Sequence, residues 1–279
     1  MKYALFKGCI IPYRLSYYEI SARRVLAILG IELVDLDFGC CGSQMLESGN
    51  EDLWLAVAAR NLALAERENV DILTLCGSCT NTLSRARQLM KSDMDKALHV
   101  KRILRKIGIE FKNKTRVLHI LKLLAGETGI GKVHKHIRKN LDFKVALQHP
   151  CQIYRPAEIM NLGKDAVKDF VSSFISEVFY LDDCCGETLI ATDQGLCISI
   201  LKQNLKACHA KGVNVIVTAC GNCQMTYDVN QMGLKVKDEI IKALPSLTIT
   251  QALGIAMGFG YDELGLRQNL IKVDNKVFG

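Results

Sequence analysis

Short apolar runs and longer amphipathic stretches alternate along the chain. In the first half, Lys2–Phe6, Glu32–Asp37 and Val70–Leu75 are short, rich in apolar residues and read as strands. Between them, Ser16–Leu29 and Glu51–Glu68 place apolar residues at spacings of three and four, the period of a helix with one buried face. The second half repeats the alternation, with strands at Lys144–Leu147, Val178–Leu181 and Val213–Thr218 and helices near Lys164–Ser176 and Gln194–Lys211. Two further helix-like stretches, Arg85–Leu98 and Val100–Ile107, lie between the halves. Ile249–Gly258 reads as a core helix, and more weakly as an amphipathic segment facing a membrane. Strand–helix–strand order predicts parallel β-α-β units, hence an α/β fold.

The repetition is sharpest in the cysteines. The first half places Cys9, then Cys40–Cys41, then Cys76 and Cys79; the second places Cys151, then Cys184–Cys185, then Cys220 and Cys223. The spacers are 30 and 34 residues in one half and 32 and 34 in the other. Each adjacent pair is followed by glycine, Gly42 or Gly186, and each set closes as Cys-Gly-Ser-Cys or Cys-Gly-Asn-Cys. The flanks agree as well: Lys2-Tyr-Ala-Leu with Lys144-Val-Ala-Leu, Tyr13-Arg14 with Tyr154-Arg155, and Arg60-Asn61-Leu62 with Gln203-Asn204-Leu205. An internal repeat on this scale predicts two lobes related by a pseudo-twofold axis. The first spans residues 1–141, including a basic helical linker at about 85–139. The second spans 142–279 and ends in a C-terminal helical segment. Every cysteine group follows a predicted strand. Strand carboxyl ends share one edge of an open parallel sheet, so five distant thiols are expected to converge there in each lobe.

Composition changes the picture in two ways. With 279 residues and 49% hydrophobic content the chain can bury a sizeable core. It has no apolar window long enough to span a bilayer, and its N-terminal run is broken by charge too soon for a signal peptide. A cytoplasmic protein without a transmembrane helix is expected, with membrane association through partners left open. Twelve cysteines in such a chain point to metal binding or catalysis rather than a secreted disulfide scaffold. Charge is uneven: residues 85–139 hold 16 Lys or Arg against four acids, although the whole chain is only +7. That segment is either a solvated helical face or a surface for an acidic partner or anionic substrate. Aromatic stacking residues are almost absent from it, so nucleic acid is not an expected partner.

Five thiols per set exceed the four ligands of a structural zinc. Adjacent cysteines do not easily grip one small ion together, but they can reach two irons of a larger cluster. Iron–sulfur clusters are therefore favoured, with zinc in one site and disulfides as the alternatives. Cys197 and Cys208 fall outside the repeat, on a predicted helix, and read as small buried hydrophobes. His149, two residues before Cys151, is a candidate proton donor because histidine titrates near neutral pH; a packed histidine at a strand end is the plainer reading. The corresponding first-half position is Lys7, a fixed positive charge. His99, His119, His134, His136 and His209 read as surface or packing residues.

The doubled pattern Cys…Cys-Cys-Gly…Cys-x-x-Cys resembles the cysteine-rich CCG domain family. The flanks Lys2-Tyr-Ala-Leu-Phe-Lys-Gly-Cys-Ile-Ile-Pro, Asp52–Asn61, Asp71-Ile-Leu-Thr-Leu-Cys, His149 before Cys151, Arg155-Pro156 and Gln251-Ala-Leu-Gly-Ile-Ala-Met-Gly resemble the B subunit of heterodisulfide reductases. The resemblance implies two noncubane [4Fe-4S] clusters, one on Cys9, Cys40, Cys41, Cys76 and Cys79, the other on Cys151, Cys184, Cys185, Cys220 and Cys223. It further implies reduction, or reversible formation, of a disulfide between two small thiols such as coenzyme M and coenzyme B. The chain has no ferredoxin run and no Gly-rich dinucleotide fingerprint. A ferredoxin-like C subunit and a flavoprotein A subunit are accordingly the implied partners. The alternatives are an electron-transfer or anchor subunit of a succinate-, lactate- or glycolate-type dehydrogenase, and a subunit of a related sulfur-oxidation complex.

Overall fold

A computed structural model describes residues 1–235 and 242–273; the remainder of the expected second lobe, 236–241 and 274–279, lies outside the described residues. Its strands are β1 (Lys2–Phe6), β2 (Glu32–Val34), β3 (Asp71–Thr74), β4 (Val117–His119), β5 (Leu141–Gln148), β6 (Ile175–Leu181), β7 (Val215–Thr218) and β8 (Ser246–Thr248). They form two four-stranded sheets, in the orders β2-β1-β3-β4 and β6-β5-β7-β8. All pairings are parallel, with Phe6 opposite Thr74 in the first sheet and Leu147 opposite Val217 in the second. The chain is an α/β protein built of two repeated lobes.

The central strands β1, β3, β5 and β7 form around short apolar runs. Tyr3, Ala4, Leu5 and Phe6 are all buried, as are Val145, Ala146 and Leu147, because a central parallel strand is covered on both faces. The edge strand β6 is different. It starts at Ile175, where Ser176 and Glu177 are exposed, so the helix expected to reach Ser176 stops at Ser172. The break expected between Leu98 and Val100 instead falls at Asp93. Its carboxylate accepts from the Lys96 amide at 3.0 Å and caps the helix Met94–Lys106, ending the preceding helix Gly77–Ser92.

The compact units do not follow the division at residue 141. One holds Met1–Cys9, Ile31–Ile120 and Gln152–Asn161; the other holds Ile10–Gly30, Leu121–Cys151 and Leu162–Gly279. The chain changes unit directly after Cys9 and directly after Cys151. Specific bonds cause the exchange. The helix Ser16–Ile28 buries Tyr17, Tyr18 and Ser21; Tyr17 donates to Asp228 at 2.6 Å, and Ser21 shares a 2.7 Å hydrogen bond with Thr250. Reciprocally, the Asn81 amide donates to the carbonyls of Gln152, at 2.9 Å, and Arg155. The basic segment is not a free linker either: it supplies the helix Met94–Lys106 and β4, and from Leu121 onward it belongs to the second unit.

Every residue of the helix Ile249–Ala256 is buried, which makes it a core helix, and a Thr248–Gln251 capping box starts it. Gly254 faces Leu264 closely: an added β-carbon would lie 3.1 Å from Leu264 Cδ1 and closer still to Cδ2. Gly254→Ala is therefore expected to cost about 1–3 kcal/mol through overpacking, despite the better helix propensity of alanine. Thermal unfolding of the variant checks this, and a stabilised variant would contradict it.

Candidate metal centre

In the first unit, the turn after β1 carries Gly8 at φ +64° and then Cys9; a β-carbon at Gly8 would stand 3.0 Å from Cys79 Sγ. The loop after β2 carries Cys40 and Cys41 and turns at Gly42, φ +92°, a left-handed conformation suited to glycine. The Gly42 N–H lies 3.4 Å from Cys40 Sγ. After β3, Cys76 immediately precedes the helix Gly77–Ser92 and Cys79 lies in its first turn. The sulfurs form a continuous set. Cys9 and Cys40 are 3.9 Å apart, Cys41 hydrogen-bonds with both Cys40 and Cys79, and Cys79 with Cys76. Cys41, Cys76 and Cys79 are buried, whereas Cys9 and Cys40 are exposed.

The second unit repeats this arrangement bond for bond. Cys151 and Cys184 are 3.9 Å apart, and the Gly186 N–H, from a residue at φ +83°, lies 3.4 Å from Cys184 Sγ. Cys185 hydrogen-bonds with Cys184 and Cys223, and Cys223 with Cys220. The structure thus brings together, five by five, the ten cysteines singled out in the sequence.

Thiols this close cannot all ionise unaided. Hydrogen bonds with Cys41 and Cys9 pull Cys40 down to about 2, while the bond with Cys40 is the main reason Cys41 is pushed up to about 12. Cys9 and Cys151 are raised, chiefly by their bonds to Cys40 and Cys184; Cys79 and Cys223 are raised by bonds to Cys41 and Cys185. Bound cations would favour the thiolate form of the sets. Among the described residues, no group of three or more His, Cys, Asp or Glu side chains is arranged to hold a single metal ion. Soft donors gathered five at a time fit a cluster of several irons.

Around this common plan the two sites differ. Pro150 replaces Gly8, and Glu187 occupies the place of Ser43 after the Cys-Cys-Gly turn. Glu187 is buried and accepts from Thr226 at 2.9 Å and Asn230 at 2.6 Å; burial pushes its carboxyl up to about 7. Its partners lie on a wide helical turn, Met225–Asn230, of a type frequent at functional sites. In the first unit, Gln44 instead donates to the Gln152 side chain at 3.0 Å. His149 is buried, with its Nδ1 2.9 Å from the Tyr180 hydroxyl and its N–H on the Leu181 carbonyl. Lys7 pairs with Asp35 at 3.6 Å. Cys197 and Cys208 are buried in the helix Gln194–Ala210, and burial pushes Cys208 up to about 11.

Glu187, Asn61 and Asn204 belong to the sites although the sequence gives none of them a chemical role. Asn61 and Asn204 donate to the Cys40 and Cys184 carbonyls, both at 3.0 Å. The one signal for the asparagines is the agreement between the two halves, which by itself marks only duplication.

The cysteine-rich domain family, CCG, matches residues 3–84 and 145–228, so each match runs from a central strand to just beyond the last cysteine of a set. The B subunit of a ferredoxin/F(420)H(2)-dependent CoB-CoM heterodisulfide reductase from Methanosarcina acetivorans is 33% identical over 97% of this chain and 94% of its own. An 8-methylmenaquinol:fumarate reductase membrane anchor subunit from Wolinella succinogenes is 25% identical over 97% of both chains. A hypothetical protein from Helicobacter pylori, solved by crystallography, superposes with a TM-score of 0.80 at 15% identity, over 98% of this chain and 52% of that one, a likeness of fold alone. The chain belongs to the cysteine-rich CCG-domain proteins, in the family of heterodisulfide reductase B subunits.

Proposed function

We propose that this chain is the iron–sulfur catalytic subunit of a heterodisulfide reductase-type complex, with a noncubane [4Fe-4S] cluster on each five-cysteine set. The observation that carries the reading is the pair of matching thiol sets, identical in their 3.9 Å and 3.4 Å contacts. When bound, such clusters supply electrons together with iron as a Lewis acid for sulfur. The substrate class is a disulfide of two small thiols, of the coenzyme M and coenzyme B kind named for the Methanosarcina relative. Its reduction takes two electrons and two protons and breaks one S–S bond to give two thiols.

The roles of the chain's own residues follow. The ten cysteines hold the clusters, and the Gly42 and Gly186 N–H groups lend positive charge to Cys40 and Cys184. His149, oriented by Tyr180, delivers a proton to a departing thiolate. Electrons come from partner subunits, a ferredoxin-like C subunit and behind it a flavoprotein A subunit. The basic segment is suited to attracting an acidic partner or an anionic substrate. Among the described residues no helix is long and apolar enough to cross a membrane; the reading is of a cytoplasmic subunit, with membrane association through partners left open.

A second reading, an electron-transfer or anchor subunit of a dehydrogenase or fumarate reductase, is favoured by the Wolinella relative, at lower identity. The two separate in one experiment. The chain, purified anaerobically in its native complex, is expected to cleave a low-molecular-weight disulfide when given a low-potential electron donor. Electron transfer to fumarate, with no disulfide cleaved, would favour the second reading.

A further inference from the structure

Two buried asparagines occupy one position in both halves. Asn61 is the eleventh residue of the helix Glu51–Arg67, and Asn204 the eleventh of the helix Gln194–Ala210. Each is 1% exposed. Asparagine is a poor helix former, and burying its amide costs free energy unless the amide is hydrogen-bonded. The helix itself therefore gives no reason for a buried asparagine to appear there twice. The surroundings do not match: the Asn61 side-chain oxygen accepts from the Gly39 N–H at 3.0 Å, whereas the Asn204 amide also donates to the Tyr227 hydroxyl at 2.9 Å. The shared feature is the 3.0 Å bond to the carbonyl of the first cysteine in each pair.

That carbonyl belongs to the peptide plane joining the two adjacent cysteines. Successive residues of an extended chain point to opposite sides. Yet here both sulfurs enter one set, Cys40 against Cys9 and Cys41 against Cys79. Such an arrangement requires one orientation of the plane. The left-handed glycine fixes the segment after the plane and returns its N–H to the first sulfur; the asparagine fixes the plane itself. We infer that Asn61 and Asn204 are positioning residues that orient the Cys40–Cys41 and Cys184–Cys185 peptide planes, and so set how the two adjacent sulfurs are presented to a bound cluster. The inference rests on the cluster-binding reading.

The test uses Asn61→Asp and Asn204→Asp in the anaerobically assembled complex. Aspartate keeps the side-chain size but sets an oxygen, in place of an N–H donor, against the cysteine carbonyl. The readout is the electron paramagnetic resonance and Mössbauer signature of each cluster, with iron content and far-UV circular dichroism alongside. N61D is expected to alter or abolish one cluster's signature and leave the other intact, N204D to do the reverse, and both to keep native helix content. N61A and N204A remove the bond without adding charge and are expected to shift the same signatures less; they carry the test if an aspartate variant does not accumulate. Unchanged signatures in the variants that fold, or equal disturbance of both clusters by each, would overturn the inference. Wild-type protein without iron would instead sink the cluster reading itself, so the two failures are distinguishable.

Discussion

Cys41→Ser is expected to lower the iron of the assembled protein from about eight atoms per chain to about four, with acid-labile sulfide falling in step. Cys41 is the middle of its set, hydrogen-bonded to Cys40 on one side and Cys79 on the other, and only 3% exposed. A serine oxygen there is a harder, less readily ionised donor than a thiolate and a poor match for iron in a sulfur-rich cluster. The four remaining thiols are left as two separated pairs, Cys9 with Cys40 and Cys76 with Cys79. The second set shares no ligand with the first and should keep its irons. Cys185→Ser is expected to give the mirror result, each variant losing a different paramagnetic signal. Cys197→Ser and Cys208→Ser are the controls. Both thiols are buried outside the sets, so these changes should leave iron content unaltered. Iron and sulfide determination on anaerobically prepared protein checks all four; unaltered iron in the Cys41 or Cys185 variant would mean that the ligands are assigned wrongly.

The cysteine sets are legible in the sequence because two simple regularities coincide in them. Central strands of a parallel sheet show as short apolar runs, and their carboxyl ends share an edge, so spacing alone brings Cys9, Cys40, Cys41, Cys76 and Cys79 toward one place. The same regularities fail for β4 and β8, three residues each, which are too short to show any period. They fail for the helix Ser16–Ile28 in another way. Its buried face is predictable, but periodicity says which side of a helix is covered and not what covers it, so its packing with residues of the second half has no signature. Asn61 and Asn204 cannot be told from ordinary polar positions, because a buried asparagine is identified by its hydrogen-bond partner, and that partner is a backbone carbonyl. Glu187 is hidden for a different reason: its partners are the neutral side chains of Thr226 and Asn230, about forty residues further along the chain.

Asp228→Ala is expected to be the most damaging change away from the cysteines, because this carboxylate ties down two segments remote from it in sequence. It is fully buried, accepts from the Tyr17 hydroxyl at 2.6 Å, and accepts from the backbone N–H groups of Leu270 and Ile271 at 2.9 and 3.0 Å. Tyr17 is in turn held by Gln224 at 3.1 Å. Burial, with Asp228 as a neighbouring charge, raises the Tyr17 phenol, which therefore stays protonated as a donor. Alanine would strand two buried donors, the Tyr17 hydroxyl and the Ile271 N–H, and the part-buried Leu270 N–H, at about 1–3 kcal/mol for each buried one before relaxation, so a net loss of about 3–5 kcal/mol is expected. At roughly 2–4 °C per kcal/mol, the unfolding midpoint should fall by about 10 °C. Asp228→Asn retains an oxygen for the two backbone donors and should lose much less. It should also change the pH profile. Burial raises the Asp228 carboxyl above its ordinary range, so the folded chain binds this proton more tightly than the unfolded one. The stability tied to it is fully present below the unfolded pKa and is lost as pH rises through the folded value. Asparagine has no such proton, and the stability of D228N should therefore decline less than that of wild type between mildly acid and neutral pH. Thermal unfolding of wild type, D228A and D228N across that range measures both effects; a D228A midpoint within a degree or two of wild type would show that the Tyr17 contact does not hold the exchanged helix in place.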